Sequence, residues 1–297
     1  MDVLSDAIAV MRTGRPSSNR LRLGSRWCYR FAPYDGAGFH VFLRGSGWLI
    51  TEHADPTPLG TGDVVLVPHG GAHVLSDSPR AEHAIPFGTT VVGEPDGPTD
   101  VLCGKYRLDR TRTHPVLAHL PEVVHLPARA GRHAALRTAI DLLGGEVGDR
   151  LPGRDAAVSG LLDLLLVYMV RAWLEDNAAA GWPQALRDPT LAAALEAIHA
   201  DPARPWRLQD LAATAGLSRA TLARRFTSLT GQSPMAYLGW WRMAVAARLL
   251  RDSEVSLAEV ARRVGYASPY AFAHAFKRHF GLAPGRYRAA DQTAATA

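Results

Sequence analysis

The last third of the chain contains one unit twice, and a duplicated unit constrains the fold more tightly than any composition can. The first copy runs from Trp206 to Tyr237 and the second from Val255 to Tyr287. Leu208, Leu211, Ala212 and Gly216 match Leu257, Val260, Ala261 and Gly265 at an offset of 49. Ser218, Leu222, Phe226, Gly231, Pro234 and Tyr237 match Ser268, Phe272, Phe276, Gly281, Pro284 and Tyr287 at an offset of 50. The second copy therefore carries one extra residue in its turn.

Each copy reads as a short helix, a turn opened by Gly, an N-capping Ser, and a second helix whose apolar residues recur at i and i+4. Ala212 and Ala261 are small where two helices must cross closely. Gly216 and Gly265 permit the positive φ that reverses the chain. With Leu222/Phe226 and Phe272/Phe276 facing inward, the residues between them are left to solvent or to a nucleic acid. Charge supports the second use. Cut after Arg187, the chain has 19 basic and 20 acidic residues before the cut, and 14 basic and 8 acidic after it. A C-terminal third at +6 joined to a remainder at −1 expects a polyanion at one end and another task at the other.

These residues resemble the AraC/XylS family of bacterial transcription regulators, most closely from Ala258-Glu-Val-Ala through Gly265-Tyr266, Phe272, Phe276-Lys277 and Phe280-Gly281 to Pro284-Gly-Arg-Tyr-Arg. The resemblance implies two helix-turn-helix units joined by a long helix, here Pro234 to Arg251. It implies base reading by Ala220, Ala223 and Arg224 from the first unit and by Tyr270, Ala273 and His274 from the second, on a helix capped by Ser268. Arg224 is the one strong guanine reader of the first set, since alanines offer no more than contact to a thymine methyl. Arg219, Thr221, Arg225, Lys277 and Arg278 are expected either at phosphates or on a solvated face. Double-stranded promoter DNA and RNA polymerase are the implied partners, and activation the implied outcome.

Upstream, short β-rich runs alternate with Pro and Gly clusters: Trp27–Phe31, Phe39–Leu43, Gly47–Thr51, Val64–Pro68, Thr89–Val92 and Val101–Leu108. This spacing predicts a barrel or sandwich. After Ala128 the period becomes helical, with Leu161, Leu162, Leu165, Leu166, Met169, Val170 and Trp173 at steps of three and four. Asp163 and Arg171 interrupt this stretch, so a buried helix is predicted and not a membrane span. Its broad apolar arc is expected to support a homodimer. The stretch from Asn177 to Pro183 reads as a linker. The expected architecture is mixed and multidomain: a β-barrel sensor over 1–127, a helical linker and dimerisation region over 128–187, and an all-α DNA-binding domain over 188–297.

The run Gly62-Asp-Val-Val-Leu-Val-Pro-His-Gly-Gly-Ala-His73-Val-Leu-Ser-Asp77 resembles the second cupin motif, with Asp77 where that motif usually has Asn, and Gly38-Phe-His40 through Gly47-Trp48 resembles the first. His40, His73 and Trp48 are thereby candidates for an effector pocket. The first motif lacks the Glu that would complete a metal cage with the His side chains, so neither metal nor cofactor is expected. A metal-dependent cupin enzyme with a DNA-binding tail is the alternative that this gap weakens. Cys28 and Cys103 are the only thiols; both fall in the sensor, which makes them candidates for a redox pair and an oxidant a second candidate signal beside a small-molecule effector. With 47% hydrophobic and 21% charged residues the chain is too apolar for disorder. Residues 1–15 lack a basic n-region and continuous apolar segment, which leads to a cytoplasmic expectation.

Overall fold

A computed structural model describes residues 2–24, 26–88, 97–109, 113–129, 131–148 and 152–295. The chain divides into two compact units, one of residues 11–113 and 117–176, the other of residues 1–10, 114–116 and 177–297. These boundaries differ from the sequence-based ones at both ends. The helices expected as a separate linker belong with the strands, and the first ten residues belong with the C-terminal helices.

Among the described residues the strand unit holds ten strands: β1 (Ser17–Leu23), β2 (Cys28–Phe31), β3 (Gly36–Arg44), β4 (Gly47–Ile50), β5 (Thr57–Leu59), β6 (Val64–Val67), β7 (His73–Ser76), β8 (Ile85–Pro86), β9 (Thr99–Arg107) and β10 (Val124–Leu126). They form two five-stranded sheets, ordered β1-β9-β3-β6-β10 and β5-β4-β7-β2-β8. Pairing is antiparallel except between β2 and β8. The expected run Thr89–Val92 lies outside the described residues. Leu21, Phe42, Val65 and Val101 of the first sheet share one core with Tyr29, Leu49, Leu59 and Leu75 of the second. The alternate residues of the first sheet are buried too, which is why Val64-Val-Leu-Val67 reads as a continuous apolar run.

Helices α3 (Ala134–Gly148) and α4 (Arg154–Asp176) cover that outer face, α1 (Val3–Met11) and α2 (Pro115–Ala118) being the two helices that precede them in the chain. Leu66 lines one space with Leu166 and Val170, Tyr106 Oη donates to the Leu162 carbonyl at 2.7 Å, and Arg20 reaches both Asp100 and the Gly144 carbonyl. By length and composition α4 is apolar enough to cross a membrane. Here Leu162, Leu165, Leu166, Met169 and Val170 are buried within the unit, and Asp163 pairs with Arg12 at 2.7 Å.

The C-terminal unit continues the numbering with α5 (Gly181–Arg187), α6 (Pro189–Ala200), α7 (Leu208–Thr214), α8 (Arg219–Thr230), α9 (Pro234–Asp252), α10 (Leu257–Arg263), α11 (Pro269–Phe280) and α12 (Pro284–Ala295). The stretch expected as a linker is partly α5, which forms because Trp182 and Ala185 can be buried almost completely. The long helix matches its expected span to within one residue. Its C-terminal half supplies Met243, Ala246, Ala247 and Leu250 to a core with Val260, Ala261, Val264, Phe272 and Phe276 of the second repeat.

Candidate functional site

The turns of both repeats follow their glycines. Gly216 has φ +66° and Gly265 φ +79°, both in the left-handed region. Space differs between them: a Cβ on Gly216 would meet nothing within 4 Å, whereas one on Gly265 would lie 2.6 Å from the Ala203 carbonyl oxygen. Each turn then reaches its cap. Ser218 Oγ accepts from Thr221 N and Ser268 Oγ from Ala271 N, both at 3.2 Å. Phe226 and Phe272 are fully buried, which fixes the rotation of α8 and α11 about their axes.

That rotation leaves Arg219, Ala220 and Arg224 exposed on α8, with Thr221 and Ala223 half-buried beside them. On α11 it leaves Tyr270, His274 and Lys277 exposed and Ala273 half-buried; Tyr270 is 84% exposed, an unusual position for an aromatic side chain unless it meets a partner. The structure thus gathers all but one of the expected DNA-facing residues at two helix faces or their caps. Arg225 departs from the expectation: its guanidinium pairs with Asp188, the residue that caps α6 by accepting from Thr190 N and Leu191 N. It ties α8 to α6.

In the strand unit, one end of the space between the sheets is filled by core side chains and the other holds a cavity of about 300 Å³. Into it converge His40 from β3, His73 from β7 and Cys103 from β9, residues 33 and 63 apart in sequence pairs. His73 Nδ1 lies 2.8 Å from the Gly71 carbonyl and so carries a proton. Its Nε2 is then an acceptor, 2.7 Å from His40 Nε2, which makes His40 the donor there. His40 Nδ1 accepts in turn from the Cys103 thiol at 3.0 Å. A run of three hydrogen bonds with one sense crosses the interior.

Both imidazoles are neutral. Burial, and after it the neighbouring His73, holds His40 well below the usual imidazole range. Burial lowers His73 as well, against the opposing bond to Gly71, and burial drives the Cys103 thiol far above its usual range. Phe31 stacks on His73 at 4.9 Å and on Phe87 at 4.5 Å, making an aromatic wall. Lys105 is the one cationic side chain of the lining, which contains no carboxylate among the described residues. Phe31, Phe87, Lys105 and Asn19 were not singled out from sequence; only the strand alternation that turns Asn19, Cys103 and Lys105 to one side could have found them.

Two expectations fail here. Trp48 does not line the cavity: its neighbour Leu49 points into the shared core, so Trp48 faces out of the sandwich. Cys28 and Cys103 do not form a pair. Tyr29 faces the core, so Cys28 faces outward from the second sheet, where its thiol contacts the Arg80 carbonyl at 3.7 Å. Cys103 faces inward from the first sheet, and both are free. A strand layer separates the thiols, so a disulfide would require β2 to leave its sheet. Nor do the His side chains form a metal cage, because His40 turns opposite ring edges to His73 and Cys103. Among the described residues no group of three or more His, Cys, Asp or Glu side chains is arranged to hold a metal ion.

Comparison with known proteins gives one family match in each part of the chain. Residues 2–175 match the Cupin family and residues 211–290 a helix-turn-helix domain family. A putative AraC-like transcription regulator of Streptomyces lividans is 34% identical over 97% of this chain and 98% of its own length. The HTH-type transcriptional regulator MtrA of Neisseria gonorrhoeae is 33% identical over 97% and 98% respectively. Among solved structures, the DNA-binding domain of AdpA in complex with a target DNA is 40% identical, covering 36% of this chain and 95% of that one with a TM-score of 0.34. The duplicated helix-turn-helix, the cupin strands and this full-length similarity together establish that the chain belongs to the AraC-like DNA-binding transcription regulators.

Proposed function

We propose that the sandwich cavity is the effector site and that its occupant is a small apolar molecule carrying an anionic or strongly accepting group. The observation that carries this reading is the lining: an aromatic wall of Phe31 and Phe87, neutral imidazoles, and Lys105 as the sole charge. An apolar body gains from the wall, while an acceptor is served by the ammonium. Occupancy shifts the population between two arrangements of the protein that differ in DNA affinity. On the DNA side, Arg224, Tyr270, Ala273 and His274 meet bases together with Ala220 and Ala223, and Arg219, Thr221 and Lys277 meet phosphates. Ser268 sets where the second reading helix begins, and Arg225 acts through Asp188. The regulator works as a cytoplasmic homodimer that activates transcription through RNA polymerase.

The test is a thermal-shift screen of the full-length protein with aromatic and aliphatic carboxylates and their neutral amides. Carboxylates are expected to raise the melting temperature, with Lys105→Ala removing the preference over amides. Equal shifts in Lys105→Ala and the parent would overturn the assignment of charge. A second reading, oxidation of a single thiol, is favoured only by the Cys103–His40 bond. An oxidant response that survives Cys103→Ser excludes it.

A further inference from the structure

The C-terminal unit buries a second run of titratable groups that no DNA contact requires. Asp6 lies on α1, His199 on α6 and Tyr237 on α9, while His114 lies in the short segment 114–116. His199 Nδ1 is 3.0 Å from Asp6 Oδ2, His199 Nε2 is 2.7 Å from Tyr237 Oη, and that hydroxyl is 2.8 Å from His114 Nε2. Val116 N donates to His114 Nδ1 at 3.1 Å. All four side chains are nearly inaccessible to solvent.

The proton positions follow from the ends. Because His114 Nδ1 accepts from Val116, its proton sits on Nε2, and burial together with the nearby His199 keeps the ring neutral. His114 therefore donates to Tyr237, and in the neutral tautomer that bonds both neighbours His199 Nε2 accepts from Tyr237 while its Nδ1 donates to Asp6 Oδ2. Each bond of the run uses a group of both its members, so loss of any one leaves a neighbour one hydrogen bond short in an apolar cage. The cage consists of Trp182, Trp240 and Trp241, with Trp241 stacked on His199 at 3.9 Å. Among the described residues, the indole N–H groups of Trp182 and Trp241 are buried without a hydrogen-bond partner. The cage thus keeps two donors unused, which makes this packing costly.

The position of the run in the chain gives it a use. Its two ends, Asp6 and His114, come from segments whose next residues in sequence, from Met11 and from Leu117, belong to the strand unit. Its middle, Tyr237, lies in the first turn of the helix that joins the two repeats, and its ring packs on Phe226, the buried anchor of α8, at 5.7 Å. We propose that the Asp6–His199–Tyr237–His114 run is the relay through which the strand unit sets the position of the first reading helix. Residues 3–10 and 114–116 act as two handles on the DNA-binding unit, and the relay makes them a single one: displacement of either handle breaks the bonds that hold Tyr237, and with it Phe226. This inference rests on the reading of the strand unit as sensor for its direction only; the coupling is a property of the chain with or without effector.

The experiment uses the full-length protein, Asp6→Asn, Tyr237→Phe and the double variant, with a duplex selected from a random-sequence pool by the parent. Amide hydrogen exchange and duplex affinity are the readouts. Asp6→Asn is expected to accelerate exchange in α1 and also in α8 and the first turn of α9, and to change duplex affinity at least fivefold. The double variant should change affinity no more than either single one, because one broken bond already opens the run. His114→Gln, which keeps a donor toward Tyr237, should restore affinity to within twofold of the parent, whereas His114→Ala should behave like Asp6→Asn. Exchange changes confined to α1 with affinity within twofold, or additive effects in the double variant, would show separate structural anchors and overturn the relay. If Tyr237→Phe fails to fold, the His114→Gln and His114→Ala pair decides by the same criterion. A failed effector screen leaves this result untouched, so the two readings fail separately.

Discussion

Gly216 and Gly265 hold the same place in the two repeats and nearly the same φ, yet replacing each by Ala should have unequal cost. At Gly216 the added methyl enters open space, and the penalty is that of an L-residue in the left-handed region, about 1–2 kcal/mol, offset by about 0.4–1 kcal/mol from the stiffer unfolded chain. A net loss of about 1 kcal/mol is expected. At Gly265 the methyl would sit 2.6 Å from the Ala203 carbonyl oxygen and 2.9 Å from Ala203 Cα. Those atoms are backbone, pinned because Arg242 donates to the neighbouring carbonyls of Pro202 and Arg204 at 2.8 and 2.9 Å. Overpacking of that kind adds about 1–3 kcal/mol, for a total of about 2–4 kcal/mol. Urea unfolding followed by far-ultraviolet circular dichroism reads the helix-rich C-terminal unit. Gly265→Ala should lower its midpoint at least twice as far as Gly216→Ala. Equal midpoints would refute the reasoning, since they would mean that loop 202–204 yields freely and that φ alone sets the cost.

Arg224→Ala should cost about 1–3 kcal/mol of specific binding and relax one base preference in a site selection; unchanged preference would remove Arg224 from the reading set. His40 and His73 are depressed by burial from the usual 6.5, so the unfolded chain takes up protons that the folded one refuses. The stability they contribute is present above about pH 6.5 and lost as pH falls below it, a slope that His40→Gln with His73→Gln should flatten in urea titrations. Leu142 and Leu164 are 55% and 47% exposed on α3 and α4; if they mediate self-association, Leu142→Glu with Leu164→Glu should halve the mass in sedimentation equilibrium, and a folded variant of unchanged mass would exclude that surface.

The DNA-binding fold was legible because its determinants are local: a glycine at the turn, a serine three residues before the N–H it caps, and apolar residues four apart. The strand unit was legible only where both sheet faces are apolar, as in β6. Strand β1 was missed altogether, because Ser17, Ser18 and Asn19, which all line the cavity, offer no apolar alternation. Trp48 was misplaced by one step of the pleat, the error that period-two reading permits. His40, His73 and Cys103 were each noticed, but their junction depends on β9 pairing with β3 and on two sheets closing over each other. No spacing in the sequence encodes that. The relay was invisible for the same reason.

Synthesis order gives the docking of α1 a further consequence. Residues 3–11 are synthesised well before their partners: Asp6 bonds a residue 193 positions later and His114 one 123 positions later. At about 5–20 residues per second, the nascent α1 waits about 10–40 s for its partner. During that interval Val3, Leu4, Ala7, Ile8 and Val10, all buried in the finished protein, have no surface of the C-terminal unit to cover them. Helix α1 therefore presents uncovered apolar surface, of the kind chaperones bind, until the last third of the message has been read.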